Sequence, residues 1–324
     1  MKEYISNLEK GELHVHLNGL VSTSTIQKII IDESIELPQN FNIHRDLVRE
    51  FPMESLETYL KPWEVLRLIP NSRESLKLMV YNAFENLKEQ NVSFVEIRNS
   101  IVYLSFLNGI STDTALRWLI EEIEQASEKY NIKAGLIMTI SRGDYSGENF
   151  HTLMKAYEIL DKPQAVLGLD LAGNENITIS KHISNLFRSA KDKYGLNITV
   201  HAGETGNVAN IIEAIDQFNA DRIGHGTAAE MNKELMAYIK EKNVCIEVCP
   251  ISNRLTGAVK NSDQHPVVEF LKNEVPFVIC SDNPAIHNKT ISDDYMSFYD
   301  ETGRKDILAS MFEIQKNYSF IKGL

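Results

Sequence analysis

Glu12-Leu13-His14-Val15-His16-Leu17-Asn18-Gly19 sets two imidazoles two positions apart in an otherwise apolar run. In a β-strand successive side chains alternate faces, so His14 and His16 share one face while Leu13, Val15 and Leu17 take the other. A strand that aims two neutral imidazole nitrogens in one direction suits a divalent transition metal. An isolated pair of this kind is equally compatible with two strand histidines bonded to backbone, so partners elsewhere in the chain decide the reading.

Downstream, residues 23–31 read as a short helix, with Ser22 or Thr23 available as cap and Ile26, Ile29 and Ile30 on one face. Residues 33–70 lose that periodicity: Pro38, Pro52, Pro62 and Pro70 interrupt short helical pieces that carry Phe41, Phe51, Tyr59 and Trp63. Such an insertion after a first strand reads either as a lid over a pocket or as a plain structural excursion, its aromatics leaning toward core. From Ser72 onward, helices and apolar strands alternate. Helix 73–90 leads to strand 93–100, helix 112–130 to strand 133–140, helix 148–160 to strand 165–173, and helix 179–194 to strand 197–204. Three further cycles follow: 208–218 with 221–226, 231–242 with 244–253, and 266–273 with 275–283.

Counting the opening stretch, eight strands joined by helices predict a parallel sheet of the α/β class closed as a (β/α)8 TIM barrel. No Gly-x-Gly-x-x-Gly follows the first strand, which weakens a dinucleotide-binding reading. No low-complexity tract or linker divides the chain, so residues 1–324 are expected as one domain. Its tail, residues 293–324, is expected to be helical and to close the bottom or side of the barrel.

A length of 324 residues suits such a barrel, which typically needs about 250 and tolerates insertions. Hydrophobic content of 43% and charged content of 24% leave ample material for a core. A net charge of -12 argues against nucleic-acid or anionic-membrane partners, which need basic surfaces. Cys245, Cys249 and Cys280 lie in apolar runs without a paired framework, as in a reducing compartment. Residues 1–10 have neither the basic start nor the apolar core of a signal peptide, and no run approaches the roughly 18 apolar residues of a membrane span. A soluble cytoplasmic protein is therefore expected.

In a barrel of this kind the carboxyl ends of the strands form the active face. Here they end in His14, His16 and Asn18, in His201-Ala202-Gly203-Glu204, in Arg222-Ile223-Gly224-His225-Gly226 and in Ser281-Asp282-Asn283-Pro284. His14, His16, His201 and Asp282 suffice as protein ligands of a single metal, zinc or another divalent ion, with one position left for water. A bound zinc would bring that water's pKa toward neutrality. His225 and Glu204 are then free for proton transfer. Strand four reads Gly168-Leu169-Asp170-Leu171-Ala172-Gly173, with no lysine to bridge a second metal.

Six segments carry a resemblance that covers residues 12–284: the opening Glu-Leu-His-Val-His-Leu-x-Gly, Asp170-Leu171-Ala172-Gly173-x-Glu175, His201-Ala202-Gly203-Glu204, Arg222-Ile223-Gly224-His225-Gly226, Glu247-Val248-Cys249-Pro250-x-Ser252-Asn253 and Ser281-Asp282-x-Pro284. In this order they resemble the successive motifs of the adenosine deaminase family. The resemblance implies hydrolytic removal of a 6-amino group from a purine nucleoside or nucleotide, with ammonia released. It implies that Asp282 and the three histidines hold the metal and that Glu204 protonates the purine ring nitrogen next to the attacked carbon. His225 would assist deprotonation of the water, and Gly173 would offer its backbone amide to the ring.

Two departures from that pattern stand out. Asn18 and Asn283 occupy positions where most of the family carries aspartate, so each loses a charge but keeps an acceptor oxygen and gains amide donors. Asn283 can still donate to the imidazole side of the purine. Asn18 falls where the family contacts the ribose 5′ hydroxyl, and its lost charge is expected to tolerate a 5′ phosphate. The branch of the family that acts on 6-methylated adenosine monophosphate carries asparagine there, which makes such a nucleotide the alternative substrate. A non-catalytic purine-binding barrel is the alternative of another class. The cytidine-type zinc deaminases are disfavoured, because Cys249-Pro250 is not Pro-Cys-x-x-Cys and His14 has no His-x-Glu partner. Arg98 and Arg142 read as salt bridges at the rim more readily than as anion readers. Among His44, His151, His182, His265 and His287, only His287 is close enough to Asp282 in sequence to be expected in the pocket.

Overall fold

Short, β-branched apolar runs separated by amphipathic helices have to bury both strand faces, and a closed parallel barrel does so. The computed structural model describes residues 1–324. Its strands are Lys10–His16 (β1), Val92–Asn99 (β2), Lys133–Ser141 (β3), Val166–Ala172 (β4), Asn197–Ala202 (β5), Arg222–His225 (β6), Cys245–Val248 (β7) and Phe277–Ile279 (β8). All pairings are parallel and run in chain order. The ring closes where Asp282 N–H donates to the His14 carbonyl at 2.9 Å and His16 N–H to the Asp282 carbonyl at 3.1 Å. The expected (β/α)8 barrel is therefore the observed one.

Helix Thr112–Tyr130 shows why the helical segments were legible. Ser111 caps it by accepting from Thr114 N–H, Leu116, Leu119, Ile120 and Ile123 form its buried face, and Asn131 ends it in the left-handed conformation. Several boundaries differ from the sequence reading. The first strand stops at His16, and Asn18 sits in a helical turn, Leu17–Leu20. The seventh and eighth strands end at Val248 and Ile279, because Pro250 starts helix Pro250–Leu255 and the segment after β8 turns sharply at Asp282. Ser22 occupies the cap position of helix Thr23–Asp32, but its hydroxyl bonds Asn86 instead of capping. Helices Lys2–Asn7 and Ile101–Asn108 were not anticipated, the latter because its residues are apolar on nearly every side and carry no helical period.

Residues 33–70 fold as short helices, Ile43–Asp46, Leu56–Tyr59 and Trp63–Leu66. Glu33 fastens their two ends by accepting from Asn71 N–H and the Ser72 hydroxyl. Arg49 N–H bonds the Ile286 carbonyl at 2.7 Å and Met53 N–H the Leu255 carbonyl at 2.8 Å, so the insertion lies against the loops after β7 and β8. The tail, Ile291–Thr302 and Lys305–Tyr318, closes the opposite end. Buried Gln315 donates to the Gly11 and Ile279 carbonyls, and the Arg222 guanidinium stacks 3.6 Å from the Phe320 ring centroid. No helix is long and apolar enough to cross a membrane.

Candidate active site

The barrel interior is lined by charge. Glu96 and Arg98 on β2, Asp170 on β4, Arg222 on β6 and Glu247 on β7 are all buried at inward strand positions, flanked in sequence by apolar outward neighbours such as Ile246 and Val248. Glu247 is the hub. It accepts from Arg98 Nη2 at 2.6 Å, from Arg222 Nε at 2.7 Å and from Thr199 Oγ1 at 3.1 Å, and lies 2.6 Å from His14 Nδ1. Burial opposes its ionisation, yet the two guanidinium groups hold its pKa below the ordinary value. Arg222 reaches on to Glu96, which also accepts the Phe320 N–H, so the ladder runs from the tail up to His14. Removing one partner of a buried ion pair costs about 3–5 kcal/mol, because the remaining charge is left uncompensated. Glu247→Gln is thus expected to lower the unfolding free energy in urea by about that amount. Loss of the exposed Lys193–Glu158 pair should leave it nearly unchanged.

This placement corrects the expectation for Arg98, which lies inside the barrel and not at its rim. Arg142 is at the mouth, but instead of forming a rim salt bridge it donates through Nη2 to the His201 carbonyl at 2.7 Å and braces the end of β5.

Above the ladder, His14, His16, His201 and Asp282 converge. His14 Nδ1 faces Glu247 and His201 Nδ1 faces Asp170 Oδ1 at 2.9 Å, which fixes both rings and turns Nε2 of each toward the site, with Arg98 Nη1 lying 3.3 Å from His14 Nε2. His16 Nε2 and His201 Nε2 are 3.3 Å apart. Asp282 Oδ2 accepts from the Ser252 hydroxyl at 2.6 Å, while Oδ1 lies 3.5 Å from His16 Nε2 and 3.7 Å from His14 Nε2. Ligands at about 2.0–2.1 Å from a tetrahedral zinc stand about 3.4 Å from one another, close to the three separations just given; donor atoms of His14, His16 and Asp282 lie within 4.8 Å of one another, and so, as a second overlapping group, do those of His14, His201 and His225. Protonation states agree. Burial, aided by Arg98, drives the His14 pKa well below its ordinary value, and burial takes His16 down to about 4. Burial resists ionisation of Asp282, but the facing His16 and His14 hold its carboxyl below the usual range. Neutral imidazoles and an ionised carboxylate are the ligating forms.

Glu204 and His225 border this cluster. His225 Nε2 is 3.9 Å from Glu204 Oε2, and the Asn253 side-chain amide lies 3.0 Å from His225 Nδ1. A ring nitrogen of His225 also comes within 4.8 Å of ligating atoms of His14 and His201. Burial first, then the charges of Glu175 and Asp282, push the Glu204 carboxyl up to about 8. His225 and Asp282 both adopt positive φ, 65° and 61°, a conformation that non-glycine residues adopt rarely and that concentrates at functional sites.

Gly173, Asn283 and Asn18 ring the mouth. Gly173 follows β4 at φ 97°, and its amide has no partner within the chain. Asn283 is buried, its Oδ1 unpaired and its Nδ2 donating to the Tyr59 hydroxyl at 3.4 Å. Gly19 makes room for it, since a Cβ there would come within 2.2 Å of Asn283 Oδ1. Asn18 Nδ2 donates one of its two hydrogens to the Leu66 carbonyl at 2.9 Å, which ties it to the insertion.

Sequence reading missed several residues here. Tyr59 is buried, as expected of a core aromatic, but its hydroxyl sits 2.7 Å from His287 Nε2 and reaches Asn283, so it also belongs to the pocket wall. His287 lines that wall as expected. His265 is packed away from it and His44, His151 and His182 are exposed. Asp170, Glu247, Ser252 and Asn253 stood in the quoted motifs without roles. A charged residue inside an apolar strand was the available signal for the first two.

A barrel carrying this donor set at the carboxyl ends of its strands defines the class, a metal-dependent hydrolase. A family model described as adenosine deaminase matches residues 9–317. An adenosine deaminase of Clostridium botulinum is 32% identical over 289 residues, covering 88% of this chain and 86% of that protein. The chain belongs to the adenosine deaminase family. Among solved structures, an amidohydrolase of Burkholderia ambifaria with bound Zn superimposes with TM-score 0.87 at 20% identity, over 99% of this chain and 88% of that one. An Arabidopsis N6-mAMP deaminase does so with TM-score 0.85 at 22% identity, over 99% and 96%.

Proposed function

We propose that the protein hydrolyses the 6-amino group of an adenosine-type purine, giving the inosine-type product and ammonia. One observation carries the reading: neutral His14 and His16, with His201 and an ionised Asp282, sit beside a buried glutamate, Glu204, whose carboxyl burial pushes up to about 8. Those four residues hold the metal. Zinc is our assignment, because imidazole nitrogen and carboxylate oxygen are its usual ligands and the Burkholderia protein binds it. When bound, such a metal supplies Lewis acidity that lowers the pKa of water toward neutrality.

Glu204 donates its proton to the ring nitrogen adjacent to the attacked carbon, which makes that carbon more electrophilic. An asparagine amide presents donor or acceptor by turning over. With the Asn253 oxygen on His225 Nδ1–H, Nε2 takes the proton of the attacking water and then, as imidazolium, stabilises the tetrahedral adduct. Gly173 N–H and the Asn283 amide orient the purine; the His225 imidazolium then gives its proton to the amino group, the adduct's hydroxyl proton passes to the Glu204 carboxylate, and ammonia leaves as the carbonyl forms, which restores neutral His225 and protonated Glu204. Cys245, Cys249 and Cys280, free and buried, fit a reducing, cytoplasmic setting.

Asn18 bears on the 5′ side. With one Nδ2 hydrogen on the Leu66 carbonyl, it keeps a second N–H and an acceptor oxygen, so a ribose hydroxyl is served as donor or acceptor. The match to relatives named adenosine deaminase favours a nucleoside over a 5′ nucleotide. Ultraviolet assays on metal-loaded protein compare adenosine, adenine, adenosine monophosphate and its 6-methylated form. Adenosine is expected to give the highest kcat/KM. Preference for a monophosphate would transfer the assignment to the nucleotide branch, and tight binding without turnover to a non-catalytic barrel.

A further inference from the structure

Glu175 has so far entered only through its charge beside Glu204. It lies in the loop after β4 and is 3% exposed, yet no metal ligand touches its carboxylate. Its Oε2 accepts the Gly203 N–H at 2.7 Å and its Oε1 the Glu204 N–H at 2.8 Å, while Asn210 Nδ2 adds a third donor at 2.9 Å. From the other side, the Gly203 carbonyl accepts the Thr227 hydroxyl at 2.8 Å and the Ala228 N–H at 3.1 Å. The turn that carries Glu204 off β5 is therefore gripped on two amides and one carbonyl. Gly203 has φ 87°, and a Cβ there would come within 2.6 Å of Ile211 Cδ1, so the turn is tightly enclosed as well.

We propose that Glu175 is a positioning residue for the deamination: its two carboxylate oxygens, on successive amides, fix the height and direction of the Glu204 side chain. The proposal rests on the reading of Glu204 as the proton donor. Two acceptors with no donor are what two adjacent N–H groups require, and only a carboxylate supplies them. Glutamine would set an NH2 group against one amide, and aspartate, one methylene shorter, would reach only one. The Glu175 charge, second to burial, also helps keep Glu204 protonated.

The test is a double-mutant cycle on the metal-loaded full chain with adenosine, using Glu175→Gln, Glu204→Gln and the double variant, with metal content and Tm measured alongside. A misplacement of the donor by about 1 Å is expected to lower kcat by about 10- to 100-fold in Glu175→Gln, with KM within about threefold. Metal content should match the wild type. The double variant should be no slower than Glu204→Gln alone, because the group that Glu175 positions is already gone. Wild-type kcat in Glu175→Gln, or losses that multiply in the double variant, would overturn the proposal. Full activity in Glu204→Gln would instead remove the acid assignment, and the proposal with it. If Glu175→Gln does not fold, Glu175→Asp enters the same cycle, with a smaller loss of kcat expected and additivity again counting against the proposal.

Discussion

Glu204→Gln is expected to lower kcat on adenosine by about 10²–10⁴-fold, the range that a positioned general acid contributes, while KM changes little. Glutamine keeps the shape and a hydrogen-bond donor but has no proton to give. The pH dependence supplies an independent check. Burial, with Glu175 and Asp282 adding, holds the Glu204 carboxyl at about 8, so the acid form prevails below that pH. Because the protonated form is the active one, kcat should stay level through neutrality and fall as pH rises through about 8. Glu204→Gln should lose this alkaline limb along with the rate. A limb that survives the substitution unchanged would assign it to another group and take the acid role from Glu204.

Asp282→Asn is expected to have the other large effect. Asparagine tolerates the positive φ of 61° at this position nearly as well as aspartate, so the backbone has no reason to move. What disappears is the negative charge beside His14 Nε2 and His16 Nε2. Loss of an outer-shell partner weakens metal binding by about 10–100-fold, and loss of a direct ligand should exceed that. Elemental analysis should find metal well below that of the wild type, with kcat/KM reduced at least in proportion. Near-UV circular dichroism should remain native. Full metal content with normal turnover would exclude Asp282 from the ligand set.

The barrel was legible because each strand and helix announced itself locally. Apolar runs of strand length alternated with segments such as Leu116, Leu119, Ile120 and Ile123, whose period fits only a helix. The convergence of His14, His16, His201 and Asp282 followed from strand order, since residues at the carboxyl ends of parallel strands meet whatever their sequence separation. Less legible were the contacts that hold those residues. Nothing local in the sequence ties Glu247 to His14, or Glu175 to the Glu204 amide at the end of the neighbouring strand. Asn18 is the sharpest case. Its identity pointed to tolerance of a phosphate, but its partner, the Leu66 carbonyl, belongs to an irregular insertion whose path no period encodes.

The most direct test of a single-metal adenosine-type deaminase joins metal content to turnover in one preparation. Purified protein, stripped with a chelator and then titrated with zinc, is assayed for the absorbance change and ammonia release from adenosine. Activity is expected to be absent in the stripped protein and to rise linearly to a plateau at one zinc per chain. Undiminished turnover in the stripped protein, or none on any adenine nucleoside or nucleotide at full metal loading, would contradict the account.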